Sequence, residues 1–211
     1  MNGTAVVVGA SEGIGAAIEA ALIDEGAHGK VYGFARDRAG PERIDSLDEA
    51  SIAAAAAHVG AGPAPSLVVI ATDTGGVDHP SIADISREAL ERAFAINAIG
   101  PALVAKHFLP LLPTTGTPLL VMISGRDGSI TDNRLGGGYA RRASRAALTM
   151  LVKTLAIEST RAARRAVIVA IDPGNPADPE RAALQILDGI EALGVRDSGK
   201  FLSWDGTEIA P

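Results

Sequence analysis

Short runs of β-branched and aliphatic residues recur along this chain, each followed by a stretch long enough for one helix. That alternation limits the possible folds more than any other feature. The runs are Thr4–Val8, Lys30–Ala35, Leu67–Ala71, Leu119–Ile123, Ala166–Ile171 and Phe201–Trp204. They are apolar nearly throughout, not every second residue, which is the pattern of strands covered on both faces. Between them Gly13–Glu25, Asp48–Val59, Arg87–Leu112, Tyr139–Arg164 and Pro179–Leu193 read as helices. Asp48 is placed as an N-cap, Pro110 and Pro113 stop the third helix, and Gly136-Gly137-Gly138 precedes the fourth. Strand–helix alternation predicts an α/β fold with a doubly wound parallel sheet and helices on both faces. No stretch reads as a linker and no internal repeat is present, so residues 1–211 are expected to form one domain. The alanine run Ala53–Ala57 lies among strong helix formers and belongs to a surface helix.

Composition narrows the function. Of 211 residues 47% are apolar and 21% charged, as in a soluble globular chain. A net charge of −6 argues against nucleic acid or an anionic membrane as the main partner. With 3% aromatics, stacking platforms for single-stranded nucleic acid are not expected. No uninterrupted apolar run has membrane-spanning length, and the N-terminus lacks the layout of a signal peptide. A cytoplasmic location is therefore expected. The absence of cysteine excludes disulfides, thiolate catalysis and cysteine metal sites. His28, His58, His79 and His107 fall on different elements without metal-ligand spacing, so no metal is expected.

The first strand runs into Gly9-Ala10-Ser11-Glu12-Gly13-Ile14-Gly15. Glycines here permit a tight turn, close backbone approach to a pyrophosphate and close packing of the following helix on the sheet. The helix beginning at Gly13 offers free N–H groups and the positive end of its dipole to phosphate. Because the loop follows a strand and opens a helix, it points to a dinucleotide-binding Rossmann fold. The other reading is a glycine turn kept for packing alone.

The spacing Gly-x-x-x-Gly-x-Gly resembles that of the short-chain dehydrogenase/reductase superfamily. The likeness covers nearly the whole chain, and three stretches resemble the small C-factor-like branch. They are Asp132-Asn133-Arg134-Leu135-Gly136-Gly137, Gly100-Pro101-Ala102-Leu103-Val104 behind Asn97, and Asp205-Gly206-Thr207-Glu208. The resemblance implies an NAD(P) cofactor held by Gly9, Ser11, Glu12, Gly13, Ile14 and Gly15. After the second strand, Arg36 is placed to pair with a 2′-phosphate and favours NADP over NAD, while Glu12 and Asp37 pull the other way. Alternatively, Arg36 and Arg38 are ordinary surface charges. Asp45, followed by Ser46, resembles the family aspartate at the adenine amino group. Asn97, in Phe94-Ala95-Ile96-Asn97, matches an asparagine that kinks a helix and holds a water of the proton relay; a simple helix cap is the other reading.

The catalytic half departs from the family pattern. Relatives use a tyrosine as acid or base, a lysine one helical turn further along that lowers its pKa and holds the nicotinamide ribose, and a serine that orients the substrate carbonyl. Aligned through Ala143-Ser144-Arg145-Ala146-Ala147-Leu148, the lysine position is Arg145 and the tyrosine position Arg141. Four residues turn a helix by about 400°, so the two share a face. Arginine cannot exchange protons usefully near neutrality. Tyr139, about 600° of helix before Arg145, is the candidate substitute acid, against a packing role at the helix start. In Ile123-Ser124-Gly125-Arg126-Asp127-Gly128 the serine position falls on Gly125; Ser124 is one residue early and Ser129 is a weaker candidate. After the third strand Ala71-Thr72-Asp73 replaces the family's Asn-Ala-Gly, with Gly75 and Gly76 as a later turn. Alignment suggests that Asp73 forms a charge cluster with Arg141 and Arg145. Pro173-Gly174 is followed by Asn175-Pro176-Ala177-Asp178-Pro179, so the substrate loop is short and its threonine missing.

Two functions are expected on this basis. One is an NAD(P)-dependent oxidoreductase acting on a small carbonyl or alcohol, without the usual Tyr/Lys mechanism. The other is a catalytically inactive dinucleotide-binding sensor or partner subunit. Halohydrin dehalogenases also carry arginine at the lysine position, but they keep the tyrosine and alter the glycine loop, the reverse of this chain. Phe94–Leu112 and Tyr139–Arg164 correspond to helices that pair subunits in relatives, which implies a homodimer or homotetramer.

Overall fold

The computed structural model describes residues 3–72, 81–174 and 177–211. Among these residues six strands form one parallel sheet: β1 Thr4–Val8, β2 Lys30–Phe34, β3 Pro65–Ile70, β4 Leu119–Ile123, β5 Val167–Asp172 and β6 Phe201–Ser203. Their order is β2-β1-β3-β4-β5-β6. The chain moves one way from β1 to β2 and the other way from β3 onward. The switch point therefore lies between β1 and β3, where a crevice opens at the carboxyl ends of the strands.

Successive strand residues face opposite sides, and both sides are covered. Val6, Val8, Phe34, Val68, Ile70, Leu120, Met122 and Ile168 pack under α2 (Glu49–Gly60), α4 (Gly100–Phe108) and α5 (Tyr139–Arg161). Ala5, Val7, Val69, Val121, Val169 and Ile171 pack under α1 (Gly13–Glu25) and α6 (Pro179–Glu191). This explains why the strands show no polar alternation.

Most predicted boundaries differ by a residue or two. β3 begins at Pro65, and Ala71 lies beyond it while still donating its N–H to the Val8 carbonyl at 2.8 Å. α5 ends at Arg161, short of Arg164, because Ala163 adopts a left-handed φ of 56° that no helix continues through. Asp48 caps α2 by accepting from the Ala50 N–H.

The third predicted helix has a fault in it. α3 (Arg87–Phe94) and α4 are joined through a π-helical stretch, Ala95–Ile99, and a 3₁₀ turn carries the course on to Leu111. Such bulges mark a local kink. By length and composition this course would pass as a membrane span, but Lys106 interrupts it and Val104, Ala105 and Phe108 lie in the core.

Candidate functional site

The glycine loop sits at the switch point. Gly9 and Ala10 both donate to the Phe34 carbonyl, at 2.8 and 3.0 Å, which holds the loop over the end of β2. Gly9 has φ 96°, and a Cβ there would stand 2.6 Å from the Ala71 carbonyl oxygen. A Cβ on Gly15 would stand 2.1 Å from the Gly9 carbonyl oxygen. Fixed backbone thus demands glycine at both positions. Gly13 differs. Its φ is 59°, yet a Cβ there would meet nothing within 4 Å. The first turn of α1 has no side-chain cap and no acidic residue, whereas α2, α3 and α6 are capped by Asp48, Ser86 and Asp178. The α1 N-terminus therefore offers unsatisfied N–H donors and a positive dipole end to open space, which suits a phosphate.

That space is a groove of about 550 Å³. Its near end is lined by Gly9, Ser11, Glu12, Gly13, Ile14, Gly15, Arg36 and Ser46, its middle by Ala71, Thr72 and Ile96, and its far end by Ser124, Gly125, Arg145, Asp172, Pro173 and Gly174. Arg36 is exposed and stands 3.9 Å from Asp45, which holds the adjoining turn by accepting from the Leu47 N–H. Asp45 does not itself line the groove. Arg38 is not an ordinary surface charge. It forms two contacts with the Glu19 carboxylate, at 2.9 and 2.5 Å, and donates to the Gly33 and Ala10 carbonyls. The Glu19 contacts hold its proton even more firmly than usual. Arg38 thereby ties α1 to β2, and Arg36 is the arginine left facing the groove.

The far end is built by the segment after β4 and by α5. Asp127 lies between Arg145 and Arg141: its Oδ1 is 2.5 Å from Arg145 Nη1, and its Oδ2 pairs with Arg141 Nε. Arg142 closes the turn from outside, donating to the Asp127 and Gly137 carbonyls. Among the described residues the acid between the two arginines is Asp127, which reaches α5 from the 3₁₀ turn Arg126–Gly128. The predicted partner, Asp73, lies outside the described residues, as do Gly75, Gly76, His79, Asn175 and Pro176. Arg145 lines the groove, and Arg141 does not.

Gly125 is next to this cluster. A Cβ on it would stand 2.3 Å from Arg145 Nη1, 2.8 Å from Arg145 Cζ and 2.9 Å from Asp127 Oδ1. The guanidinium fills the space a side chain at 125 would need. Ser124 faces the groove but is 4% exposed, and its hydroxyl has no partner among the described residues. Ser129 turns away and donates to the Ala210 carbonyl. Tyr139 is the first residue of α5 and does not line the groove.

Asn97 is not a helix cap. It lies in the π-helical stretch, buried, and its Nδ2 donates to the Ser144 hydroxyl at 2.9 Å. Ser144 donates in turn to the Arg141 carbonyl at 3.0 Å. The bulge therefore pins α5 in the turn that precedes Arg145. Asp172, at the end of β5, is a groove residue that the sequence reading passed over. Burial raises its carboxyl above the usual range, opposed by the Arg126 N–H at 2.9 Å and by the charges of Arg126 and Arg145. The available signal was its position, one residue before Pro173-Gly174 at a strand's carboxyl end. Among the described residues no three His, Cys, Asp or Glu side chains gather as a metal site.

Residues 3–177 match the short chain dehydrogenase family. Over 140 residues the chain is 31% identical to C-signal of Myxococcus xanthus, covering 61% of this chain and 82% of that protein. The fold is similar to that of the NADPH-bound carbonyl reductase from chicken fatty liver, with 25% identity, a TM-score of 0.83, and coverage of 100% of this chain and 99% of that one. It is likewise similar to carbonyl reductase Sniffer of D. melanogaster, with a TM-score of 0.86 over the full length of both chains; at 21% identity that likeness speaks for the fold alone.

Proposed function

The chain belongs to the short chain dehydrogenase family, and from that premise we propose that it binds a nicotinamide dinucleotide, NADP in preference to NAD, without the family's tyrosine–lysine proton chemistry. The observation that carries this reading is the single groove that joins the uncapped N-terminus of α1 to Arg145. Gly13, Ile14 and Gly15 would hold the pyrophosphate through backbone N–H groups. Arg36 would meet a 2′-phosphate at the exposed rim. Arg145 would keep the ribose-holding half of the lysine's role, because a guanidinium still donates hydrogen bonds. When bound, a reduced nicotinamide supplies a hydride. Neither arginine at the tyrosine and lysine positions releases a proton to match it. A dinucleotide-binding sensor or partner subunit is the function that suits these residues.

A second reading is supported by Asp172. It lines the far end of the groove, and burial raises its pKa, so it is the carboxyl best placed to hold a proton there. Carbonyl reduction through Asp172 predicts NADPH consumption with a panel of small carbonyls that disappears in Asp172→Asn.

Titration with NADPH and NADH, followed by nicotinamide fluorescence, tests the main reading. Saturable micromolar binding with NADPH the tighter ligand is expected, with no turnover on the carbonyl panel. Arg36→Ala should weaken NADPH by about tenfold, the loss of one charge-assisted contact, and leave NADH unchanged. Gly13→Asp is compatible with the left-handed backbone and places a carboxylate in the phosphate cradle, so it should abolish binding while the protein stays folded. No saturable binding of either dinucleotide would overturn the proposal.

A further inference from the structure

We propose that Gly125 and Arg145 form a coupled pair in which the Arg145 guanidinium, clamped by Asp127, plugs the far end of the groove and glycine at 125 makes the room it needs. The three close approaches to a Cβ at 125 all come from side-chain atoms, two on Arg145 and one on Asp127. The end of an arginine is normally free to swing away. Here it is held: Nη1 is on Asp127 Oδ1 at 2.5 Å, and the other oxygen of that carboxylate is on Arg141 Nε. Asp127 cannot retreat easily either, because its own carbonyl accepts from Arg142 Nη1 at 3.2 Å. The main chain just before Gly125 is fixed as well, since the Ser124 N–H donates to the Ile171 carbonyl at 2.8 Å. A side chain at 125 and a clamped arginine at 145 therefore exclude one another.

The consequence for ligands rests on the dinucleotide reading. With a dinucleotide in the groove, the space a side chain at 125 would take holds a guanidinium, which narrows what is left there for a small carbonyl or alcohol. A lysine at 145 ends in one nitrogen in place of a branched, planar group, and would leave that volume open. The plug favours binding of the dinucleotide over a second ligand at this end.

The test is a double-mutant cycle on the purified protein with no dinucleotide present, so it succeeds or fails independently of cofactor binding. The variants are Gly125→Ser, Arg145→Lys and both together, read by thermal denaturation. Gly125→Ser alone should lower Tm on the order of 5 °C by overpacking a held cluster. In the Arg145→Lys background the same substitution should lower it by less than about 1 °C, the level of an independent site. Equal losses in the two backgrounds would overturn the proposal. If Gly125→Ser yields no folded protein, recovery of folding by Arg145→Lys supports the coupling, and failure in both backgrounds overturns it. A second readout is the Arg145 side-chain NMR signal. Slow Nη proton exchange that becomes fast in Gly125→Ala is the result expected of a displaced clamp, and unchanged exchange would also overturn the proposal.

Discussion

Each end of the groove is shaped by glycines, but what the glycines face differs. At the β1–α1 end, Gly9 and Gly15 lie against main-chain carbonyls of Ala71 and Gly9, which no side-chain rearrangement can move. At the β4–α5 end, Gly125 lies against the tip of Arg145 and the carboxylate of Asp127. The first end is fixed by the backbone of the fold, and any chain folding this way needs glycine there. The second is fixed by a choice of side chains, and a different residue at 145 would remove the need. The first end is therefore tied to the backbone of the fold, whereas the second can vary with the side chains that meet there.

The largest expected effect tests the backbone-locked end. Gly9→Ala must adopt φ 96° and push against the Ala71 carbonyl. It should cost about 3 kcal/mol or more in urea denaturation, from backbone strain and overpacking together. Gly13→Ala shares the left-handed backbone but meets nothing, and should cost only about 1 kcal/mol. If the two variants lose similar stability, the division between fold-demanded and ligand-facing glycines fails.

The side-chain-locked end should be weaker but sensitive to charge. Asp127→Asn removes the partly shielded carboxylate that pairs with both Arg141 and Arg145. A loss of about 1–3 kcal/mol is expected, below the value for a fully buried pair because each group retains some solvent. Adding salt should recover only part of it, since shielded pairs are screened less than exposed ones. An unchanged denaturation midpoint would mean that the cluster does not hold this end together.

The same contrast explains what the sequence reveals. The strands, the start of α1 and the Asp48 cap depend on neighbours a few residues away, and local pattern is enough to read them. A surface-charge role for Arg38 stays open in the sequence because its partner, Glu19, lies across the loop on another element. Asp127 could be seen in the sequence, but its place between Arg141 and Arg145 depends on how the turn after β4 docks on α5. The π-helical stretch at Asn97 leaves the helical spacing of apolar residues nearly intact, so the helix was legible and its fault was not. The burial of Asp172 comes from the packing of the sheet's end, which local pattern around Pro173-Gly174 does not encode. That Arg141 and Arg145 share a helix face follows from spacing alone, whereas the fit of Gly125 against Arg145 depends on how the turn after β4 packs on α5.

The smallest effect expected is the pH response of Asp172, the acid at the side-chain-locked end. Burial raises its pKa in the folded protein, while the unfolded chain keeps the ordinary value of about 3.9. Between those values the folded state binds more protons than the unfolded state, so stability falls as pH rises through the window. The stability present below the unfolded pKa is lost once Asp172 ionises in the fold. Asp172→Asn stays neutral and can still accept from the Arg126 N–H, so it avoids that loss. It should melt slightly above the parent at neutral pH, and the difference should vanish as pH falls below about 4. Melting curves of both proteins from acid to neutral pH provide the check. The Arg126 N–H and the charges of Arg126 and Arg145 oppose the burial effect, which keeps the difference small. If Asp172→Asn is instead less stable at neutral pH, those contacts outweigh burial. Asp172 would then be an anion held by its surroundings, and the charge network at this end of the groove would extend from Asp127 through Arg145 to β5.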